Sequence, residues 1–211
     1  MFEKQIIPSH QEILDHFDER DPVIASVVRE YGPMQLKRNR NYFVVLCKAI
    51  IGQQISIRAA EKITGRFHDL FEGQAPTFEK ALGLQSERLR SVGLSRQKVA
   101  YIQDLARHFQ EKIIRPRQFH YLNDEEVTQK LIQVHGIGRW TAEMFLIFSL
   151  MRMNVLPVQD LGLQAGIMKL YGLRKRPSIK KMRTMGKKWH PYQTVGTWYT
   201  WRAQDSENVA Y

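Results

Sequence analysis

Apolar residues recur every three to four positions along most of this chain, which is the spacing of one buried helix face. Alternation of apolar and polar residues with period two, which marks half-buried strands, is scarce. Several of the periodic segments begin after a serine, aspartate or asparagine, the residues that commonly cap helix N-termini. The segments are SHQEILDHF, DPVIASVVREYG, NYFVVLCKAIIGQQ, SIRAAEKITGRFHDLF, SRQKVAYIQDLARHFQEKI, DEEVTQKLIQV and DLGLQAGIMKLYG. This pattern predicts an all-α fold.

Prolines and glycines divide the helical segments without opening a long linker. They stand at Gly73 and Pro76, Gly93, Pro116, Pro157 and Pro177. The chain has no internal repeat and no low-complexity tract. Its 211 residues, of which 43% are hydrophobic, can bury a substantial core. We therefore expect one large folded domain, or two small lobes that share a cleft.

The chain is strongly basic. It has 32 Lys and Arg residues against 21 Asp and Glu, which gives a formal net charge of +11. This balance predicts attraction to a polyanion and salt-dependent binding, although a ribosomal or membrane-surface protein would share it. Between Gly172 and His190 the charge is uncompensated, because this stretch contains no acid. Its cations are Arg174, Lys175, Arg176, Lys180, Lys181, Arg183, Lys187 and Lys188.

The residue content excludes several kinds of chemistry. Cys47 is the only cysteine, so neither a disulfide within the chain nor a four-cysteine iron-sulfur cluster can form. The seven histidines lack paired metal-binding spacing, and no glycine-rich loop ends in Gly-Lys-Ser/Thr. We therefore expect no catalytic cofactor. The N-terminus has no apolar core of signal-peptide length, and the apolar runs are too short to span a bilayer.

A Gly-x-Gly turn separates two predicted helices in the C-terminal half. Helical periodicity from Asp124 stops at His135, and a second apolar helix is predicted to start at Arg139. Gly136 and Gly138 can adopt positive φ and let another backbone come close, while the first N–H groups of the second helix suit an anion. A phosphate is the natural ligand. The plain alternative is an ordinary turn between helices that needs glycine.

Asp160 follows a proline loop and precedes another predicted helix. Its structural interpretation is an N-cap, since aspartate is among the preferred residues there. The helix N-terminus would also keep the carboxylate ionised. The two interpretations are therefore compatible, and Asp160 is the candidate for chemistry.

Four segments together resemble one family. The stretch from His135 to Ala142 (HGIGRWTA) and the loop VLPVQDLGL around Asp160 resemble the helix-hairpin-helix DNA glycosylase superfamily. Within it, IGQQIS at residues 51–56 and the aromatic segment WHPYQTVGTWYTWR at residues 189–202 are most similar to the DNA-3-methyladenine glycosylase II branch. The likeness extends over roughly residues 40 to 205. His135 departs from the family pattern, which usually has proline there.

The resemblance implies two helical lobes with a DNA-binding cleft between them, within a single glycosylase domain of residues 1–211. The central lobe would contain about residues 36–122, and the second lobe residues 1–35 plus 123–211. Double-stranded DNA with damaged bases would be the partner of a monomer. The enzyme would act in the cytoplasm, at the bacterial nucleoid, or in the nucleus of a eukaryote.

The resemblance also assigns roles to individual residues. Asp160 would stabilise the positive charge that builds on the sugar when an N-glycosidic bond breaks. The flipped base would enter a pocket lined by Trp140, Met144 and Trp201, and Gln54 would fill the gap that it leaves in the duplex. The expected phosphate contacts are Gly136, Gly138, Arg139, Thr141, Lys180, Lys181, Lys187 and Lys188. Structural Na⁺ or K⁺ would be held by the main-chain carbonyls of Ile132, Val134 and Ile137.

Trp140 narrows the expected reaction. Relatives that also cut the DNA strand carry a nucleophilic lysine at this position, and tryptophan cannot form a Schiff base. The resemblance therefore implies a monofunctional glycosylase that removes alkylated purines such as 3-methyladenine and 7-methylguanine and leaves an abasic site, in base excision repair. Two alternatives stay open: a glycosylase of the same fold for oxidised or deaminated bases, and a non-catalytic helix-hairpin-helix DNA-binding module.

Overall fold

A computed structural model describes residues 7–204 of the chain, and over this range the protein is helical. The described residues form twelve α-helices and one 3₁₀ turn, and no strand occurs among them. The helices are α1 (His10–Arg20), α2 (Pro22–Tyr31), α3 (Tyr42–Gly52), α4 (Ile57–Asp69), α5 (Phe78–Gly83), α6 (Ser86–Ser91), α7 (Arg96–Gln110), α8 (Asp124–Leu131), α9 (Arg139–Phe148), α10 (Leu161–Leu170), α11 (Ile179–Trp189) and α12 (Gln193–Arg202). The predicted all-α fold is confirmed.

Polar side chains cap most of these helices, as the sequence predicted. Ser9 and Asn123 each form a reciprocal capping box with a glutamate three residues later, at the start of α1 and of α8. Ser56, Ser95 and Ser178 accept hydrogen bonds from main-chain N–H groups at the starts of α4, α7 and α11. These bonds satisfy donors that have no partner within the helix.

The described chain divides into two compact units. One unit is Asn39–Phe145, and the other consists of the segments up to Arg38 and from Leu146 onward. The sequence placed the corresponding boundaries near residues 36 and 122. The two divisions differ in residues 123–145, which carry the Gly-x-Gly turn and which the structure groups with the central helices.

Helix α3 forms the centre of the Asn39–Phe145 unit. Nine of its eleven residues are buried, as expected for a helix that is apolar on all sides. Phe43 of this helix contacts Phe78 of α5 and Phe109 of α7 edge-on, with ring centroids 6.4 and 5.6 Å away. Phe78 and Phe109 stack on each other at 5.6 Å. This aromatic cluster joins α3, α5 and α7 into one core.

In the other unit, buried polar contacts join the first two helices to the C-terminal helices. Asp21 is 3% exposed, and its Oδ2 accepts hydrogen bonds from Tyr171 Oη at 2.6 Å and Trp189 Nε1 at 2.9 Å. The hydroxyl of Tyr199 donates to the carbonyl of Gly32 at 2.7 Å. A buried carboxylate is tolerated only when its oxygens are paired, so these bonds fix α1 and α2 against the C-terminal helices.

Within residues 7–204, none of the helices has the length and apolar character that crossing a membrane requires.

Candidate functional site

The Gly-x-Gly turn links α8 to α9 through residues 132–138. Gly136 has φ 84°, the left-handed region that favours glycine. A Cβ atom at this position would lie 2.1 Å from Cδ2 of Tyr101, so Gly136 is required both by backbone conformation and by space. Gly138 differs: its φ lies outside that region, and a Cβ there would meet nothing within 4 Å. Backbone conformation and space therefore require glycine at position 136, and a phosphate contact at Gly138 stays a prediction.

A buried carboxylate on α7 anchors the turn. Oδ2 of Asp104 accepts a hydrogen bond from the main-chain N–H of His135 at 2.9 Å and lies 2.9 Å from Nδ1 of the same residue. Arg107 donates to the other carboxylate oxygen at 3.1 Å. Burial raises the pKa of Asp104, but the bonds from His135 and Arg107 outweigh it, so the pKa is lowered on balance. The turn has histidine at position 135, where the family usually has proline, and Asp104 holds this residue through its side chain and its main chain.

Sequence reasoning missed Asp104. It stands within the apolar stripe of α7, between Ile102 and Leu105, both of which are fully buried. A carboxylate on a buried helix face needs a hydrogen-bond partner. The place of Asp104 in this apolar stripe was therefore the sequence signal that could have identified it.

We predict that Asp104→Ala destabilises the Asn39–Phe145 unit by about 2 to 3 kcal/mol, because hydrogen bonds to an ionised group are lost and His135 N–H is left without its acceptor. Since the folded pKa of Asp104 is lowered, its contribution is present above the ordinary carboxyl range and disappears as pH falls through the folded pKa. Urea unfolding at pH 7 and at a pH below the ordinary carboxyl range measures this dependence. Asp69→Ala, at an exposed position of the same unit, is the control. If wild type and Asp104→Ala lost the same free energy of unfolding between the two pH values, the prediction would be contradicted.

The same helix α7 also holds the segment that carries Gln54. Lys98 Nζ donates to the carbonyls of Ile51 and Gln53 at 2.7 and 2.8 Å, which caps the C-terminus of α3. Gln53 Nε2 in turn donates to the carbonyl of Gly136 at 2.7 Å. Gln54 itself is exposed and has φ 58°, an uncommon backbone conformation for a residue with a side chain. An exposed side chain on a rigid, strained turn suits the insertion role expected of it.

The remaining hairpin residues occupy distinct environments. Arg139 forms a two-pronged ion pair with Glu125, with contacts of 2.8 to 3.0 Å, and the hydrogen bond raises the pKa of Arg139. Thr141 is 3% exposed, so a phosphate contact there depends on its main-chain N–H. Among the residues described, no group of three or more His, Cys, Asp or Glu side chains could hold a metal ion.

The carbonyls expected to bind a monovalent ion lie in the same turn. Val134 and Ile137 are buried, at 1% and 4% exposure, whereas Ile132 is 38% exposed. Val134 O accepts a hydrogen bond from Ile137 N at 3.1 Å. An ion at these carbonyls stays a prediction.

Asp160 stands at the N-terminus of α10 and is 9% exposed. Its Oδ1 accepts a 2.6 Å hydrogen bond from Leu163 N, so the predicted N-cap is confirmed. The same oxygen accepts a 2.8 Å bond from Nε1 of Trp201 on α12. A carboxylate that receives two fixed donors has a defined orientation. Asp160 is therefore a cap and an oriented anion at once.

The loop before Asp160 is held at one point by Thr194. Thr194 is fully buried; its hydroxyl donates to Arg152 O at 2.5 Å and accepts from Val155 N at 3.0 Å. Its own N–H donates to Met153 O at 2.9 Å. Further along the loop, Leu156 packs closely on Gly186 of α11. A Cβ atom on Gly186 would lie 2.4 Å from Cδ2 of Leu156. These contacts fix the backbone that presents Asp160.

Close packing of α10 on α12 brings Trp201 to Asp160. A Cβ at Gly166 would lie 2.5 Å from Cγ2 of Thr200 and 2.8 Å from its carbonyl oxygen. A Cβ at Gly162 would lie 3.1 Å from Asp160 Oδ1 and 3.5 Å from the Trp201 ring. The spacing Gly162-x-x-x-Gly166 was a signal for this close approach that sequence reasoning did not use.

The residues predicted to line the base pocket have different exposures. Trp140 is half-buried, and Met144 is 2% exposed, so its side chain belongs to the core of the Asn39–Phe145 unit. Trp201 is half-buried in the other unit and stacks on Phe148, with ring centroids 5.9 Å apart and an interplanar angle of 13°. Their grouping into one pocket stays a prediction.

Helix α11 presents the basic run. It buries Met182, Gly186 and Trp189, and it exposes all four lysines predicted to contact phosphate. These lysines are Lys180, Lys181, Lys187 and Lys188. No acid occurs on this helix, so every charged side chain on its exposed face is cationic.

Comparisons with known proteins agree with this arrangement. Residues 47–191 match the model of the HhH-GPD superfamily base excision DNA repair proteins. DNA-3-methyladenine glycosylase 1 of Schizosaccharomyces pombe is 31% identical over 191 residues, which cover 90% of this chain and 84% of the relative. The S. pombe Mag1 structure in complex with abasic DNA superposes with a TM-score of 0.85 at 30% identity, covering 92% of this chain and 96% of that one.

A bacterial structure gives a similar result. The DNA-3-methyladenine glycosidase of Bacillus halodurans superposes with a TM-score of 0.81 at 35% identity, and the match covers 90% of this chain and 88% of the B. halodurans chain. The resemblance inferred from the four sequence segments is thus confirmed. This chain belongs to the HhH-GPD superfamily of base excision DNA repair proteins.

Proposed function

We propose that this chain is a monofunctional DNA glycosylase that releases alkylated purines from double-stranded DNA in base excision repair. The observation that carries the proposal is the oriented carboxylate of Asp160, whose Oδ1 accepts hydrogen bonds from Leu163 N and from the Trp201 indole N–H. An N-cap needs only the bond from Leu163 N, so the second donor, the Trp201 indole, is what favours a chemical role over a DNA-binding module without chemistry. The names of the relatives, DNA-3-methyladenine glycosylases from bacteria and yeasts, support the substrate class.

The reaction needs little from the protein beyond charge and orientation. As the bond between the sugar C1′ and the base nitrogen breaks, the base keeps the bonding electrons and positive charge builds on the sugar. Asp160 stabilises this charge and orients a water molecule whose oxygen forms the new bond to C1′, and the water's proton leaves to the carboxylate or to solvent. An alkylated purine that carries a positive charge departs as a neutral base, so no strong general acid is required.

The product follows from the residue at position 140. A strand-cleaving relative needs an amine nucleophile, and the indole of Trp140 offers none. The enzyme therefore leaves an intact strand with an abasic site. Trp140 instead supplies an aromatic face, and contact of such a face with a cationic base is worth about 0.5 to 2 kcal/mol.

DNA binding is assigned to the hairpin and to the outer face of α11. The backbone at Gly138 is unobstructed, and the N-terminus of α9 provides N–H groups for a phosphate oxygen. We propose that the enzyme acts as a monomer, in the nucleoid of a bacterium or the nucleus of a eukaryote.

Changing the four exposed lysines of α11 to glutamine will weaken binding to DNA of any sequence. If each lysine neutralises one phosphate, the slope of log K against log salt falls by about 3 to 4. Fluorescence anisotropy over a series of salt concentrations measures this slope. A variant that loses the same charge from exposed positions elsewhere is the control: Lys80, Lys112, Arg115 and Arg117 to glutamine. Equal slopes for the two variants would remove α11 from the DNA-binding surface.

The function itself is tested by release of free base from methylated duplex DNA. We expect 3-methyladenine or 7-methylguanine in the supernatant, with strand breaks that appear only after alkali. Breaks without alkali would contradict monofunctionality. Release from DNA with oxidised or deaminated bases alone would replace the substrate class, and tight DNA binding without any release would leave a binding module.

A further inference from the structure

We propose that Trp201 is a positioning residue for Asp160, and that its indole N–H contributes to the reaction independently of any contact with the base. The inference rests on the proposed glycosylase function and deepens it. The pocket-lining role expected from the sequence concerns the face of the ring. The structure shows in addition that the edge of the ring donates a 2.8 Å hydrogen bond to Oδ1 of Asp160.

The indole is held rigidly enough to orient its partner. Its ring stacks on Phe148, and its helix is pressed against α10 through Gly162 and Gly166. The Asp160 carboxylate also accepts a hydrogen bond from Leu163 N at 2.6 Å. Both bonds converge on one oxygen, so together they fix the rotation of the carboxylate about its last torsion.

Loss of the indole N–H has a defined chemical consequence. Without the indole, Oδ1 loses one of the two donors that orient it and keeps the N-cap bond from Leu163 N. Preorganised groups stabilise developing charge because they need not rotate during the reaction. A carboxylate that is held less firmly therefore stabilises the sugar cation less well, while the DNA and the base bind as before.

Two roles of Trp201 can be separated by the lesion. A wall of the base pocket acts through its fit to the base, so its loss changes the rate by a factor that depends on which base is bound. A residue that orients Asp160 acts on the sugar, which is the same in every substrate. The positioning role therefore predicts one common factor for all lesions.

The test compares Trp201→Phe with Trp198→Phe in single-turnover base release. Trp198 lies on the same helix, and its buried Nε1 has no hydrogen-bond partner within the part of the chain described, so this control removes an indole N–H that orients nothing. We expect Trp201→Phe to slow release of 7-methylguanine and of ethenoadenine by the same factor, about 10- to 100-fold. Affinity for abasic-site DNA stays unchanged, and Trp198→Phe retains the wild-type rate.

Replacement of Trp201 by benzothienylalanine, which keeps both rings and lacks the N–H, guards against collapse of the smaller phenylalanine ring. It is expected to give the same loss as Trp201→Phe. A loss that differs between the two lesions, or a benzothienylalanine variant with full activity, would overturn the proposal.

A readout without turnover distinguishes failure of this proposal from failure of the proposed function. In ¹⁵N spectra the four tryptophan indole N–H signals report their hydrogen bonds. Asp160→Ala is expected to shift the Trp201 signal and leave that of Trp189, whose indole donates to Asp21, in place. An unmoved Trp201 signal overturns the positioning role even if base is released. Absence of base release with a shifted signal refutes the enzyme function alone.

Discussion

Asp160→Asn will reduce the rate of base release by about 10²- to 10³-fold or more, because a neutral amide cannot stabilise the positive charge that forms on the sugar. The rate is measured by single-turnover excision from duplex DNA that contains 7-methylguanine. Enzyme in excess of both the DNA and the dissociation constant ensures that neither binding nor product release limits the observed rate.

The fold of the Asp160→Asn variant is expected to survive. Asparagine is as good an N-cap as aspartate, and its Oδ1 can accept from both Leu163 N and the Trp201 indole. Thermal unfolding and affinity for abasic-site DNA should therefore match those of the wild type. Retained base release by this stable variant would exclude Asp160 as the residue that acts on the sugar.

The helical architecture was predictable because each helix satisfies local rules. Apolar spacing, serine and asparagine caps and a glycine after α8 are properties of neighbouring residues, and they mark the helices without knowledge of the tertiary fold. The positions of Asp160 and Gly136 were predictable for the same reason, since a cap and a left-handed turn are local. Their surroundings were not.

The bonds that orient the site join residues far apart in the chain. His135 meets Asp104 across 31 positions, and Trp201 meets Asp160 across 41. Neither sequence separation corresponds to a helical or strand repeat, so only packing of the helices brings these atoms together. Thr194 and its three bonds to the loop before Asp160 were unpredictable for the same reason.

Two residues assigned to the site make contacts that the sequence did not predict. Arg139 was assigned to phosphate, yet its guanidinium is already paired with Glu125. Met144 was assigned to the base pocket, yet it is almost fully buried. A resemblance transfers a position from one chain to another, whereas the contacts at that position depend on residues that differ between the chains.

Gly136→Ala will destabilise the protein by about 2 to 4 kcal/mol. A side chain in the left-handed region costs roughly 1 to 2 kcal/mol, and a Cβ atom 2.1 Å from Tyr101 forces this half-buried ring or the turn to shift at a similar cost. The shifted turn no longer presents the start of α9 to a phosphate, so DNA affinity falls as well. Urea unfolding and fluorescence anisotropy measure the two effects.

Gly138→Ala is the matched control, two positions away in the same turn. Its backbone conformation accepts alanine and a Cβ there meets nothing within 4 Å, so stability should stay within about 1 kcal/mol of the wild type. If glycine at this position admits the DNA backbone, affinity falls while stability does not. Removal of the ring in Gly136→Ala/Tyr101→Ala should recover the steric part of the loss but not the part that comes from φ. An equal stability loss for Gly136→Ala and Gly138→Ala would show that the turn tolerates neither side chain and that the Tyr101 contact is not the cause.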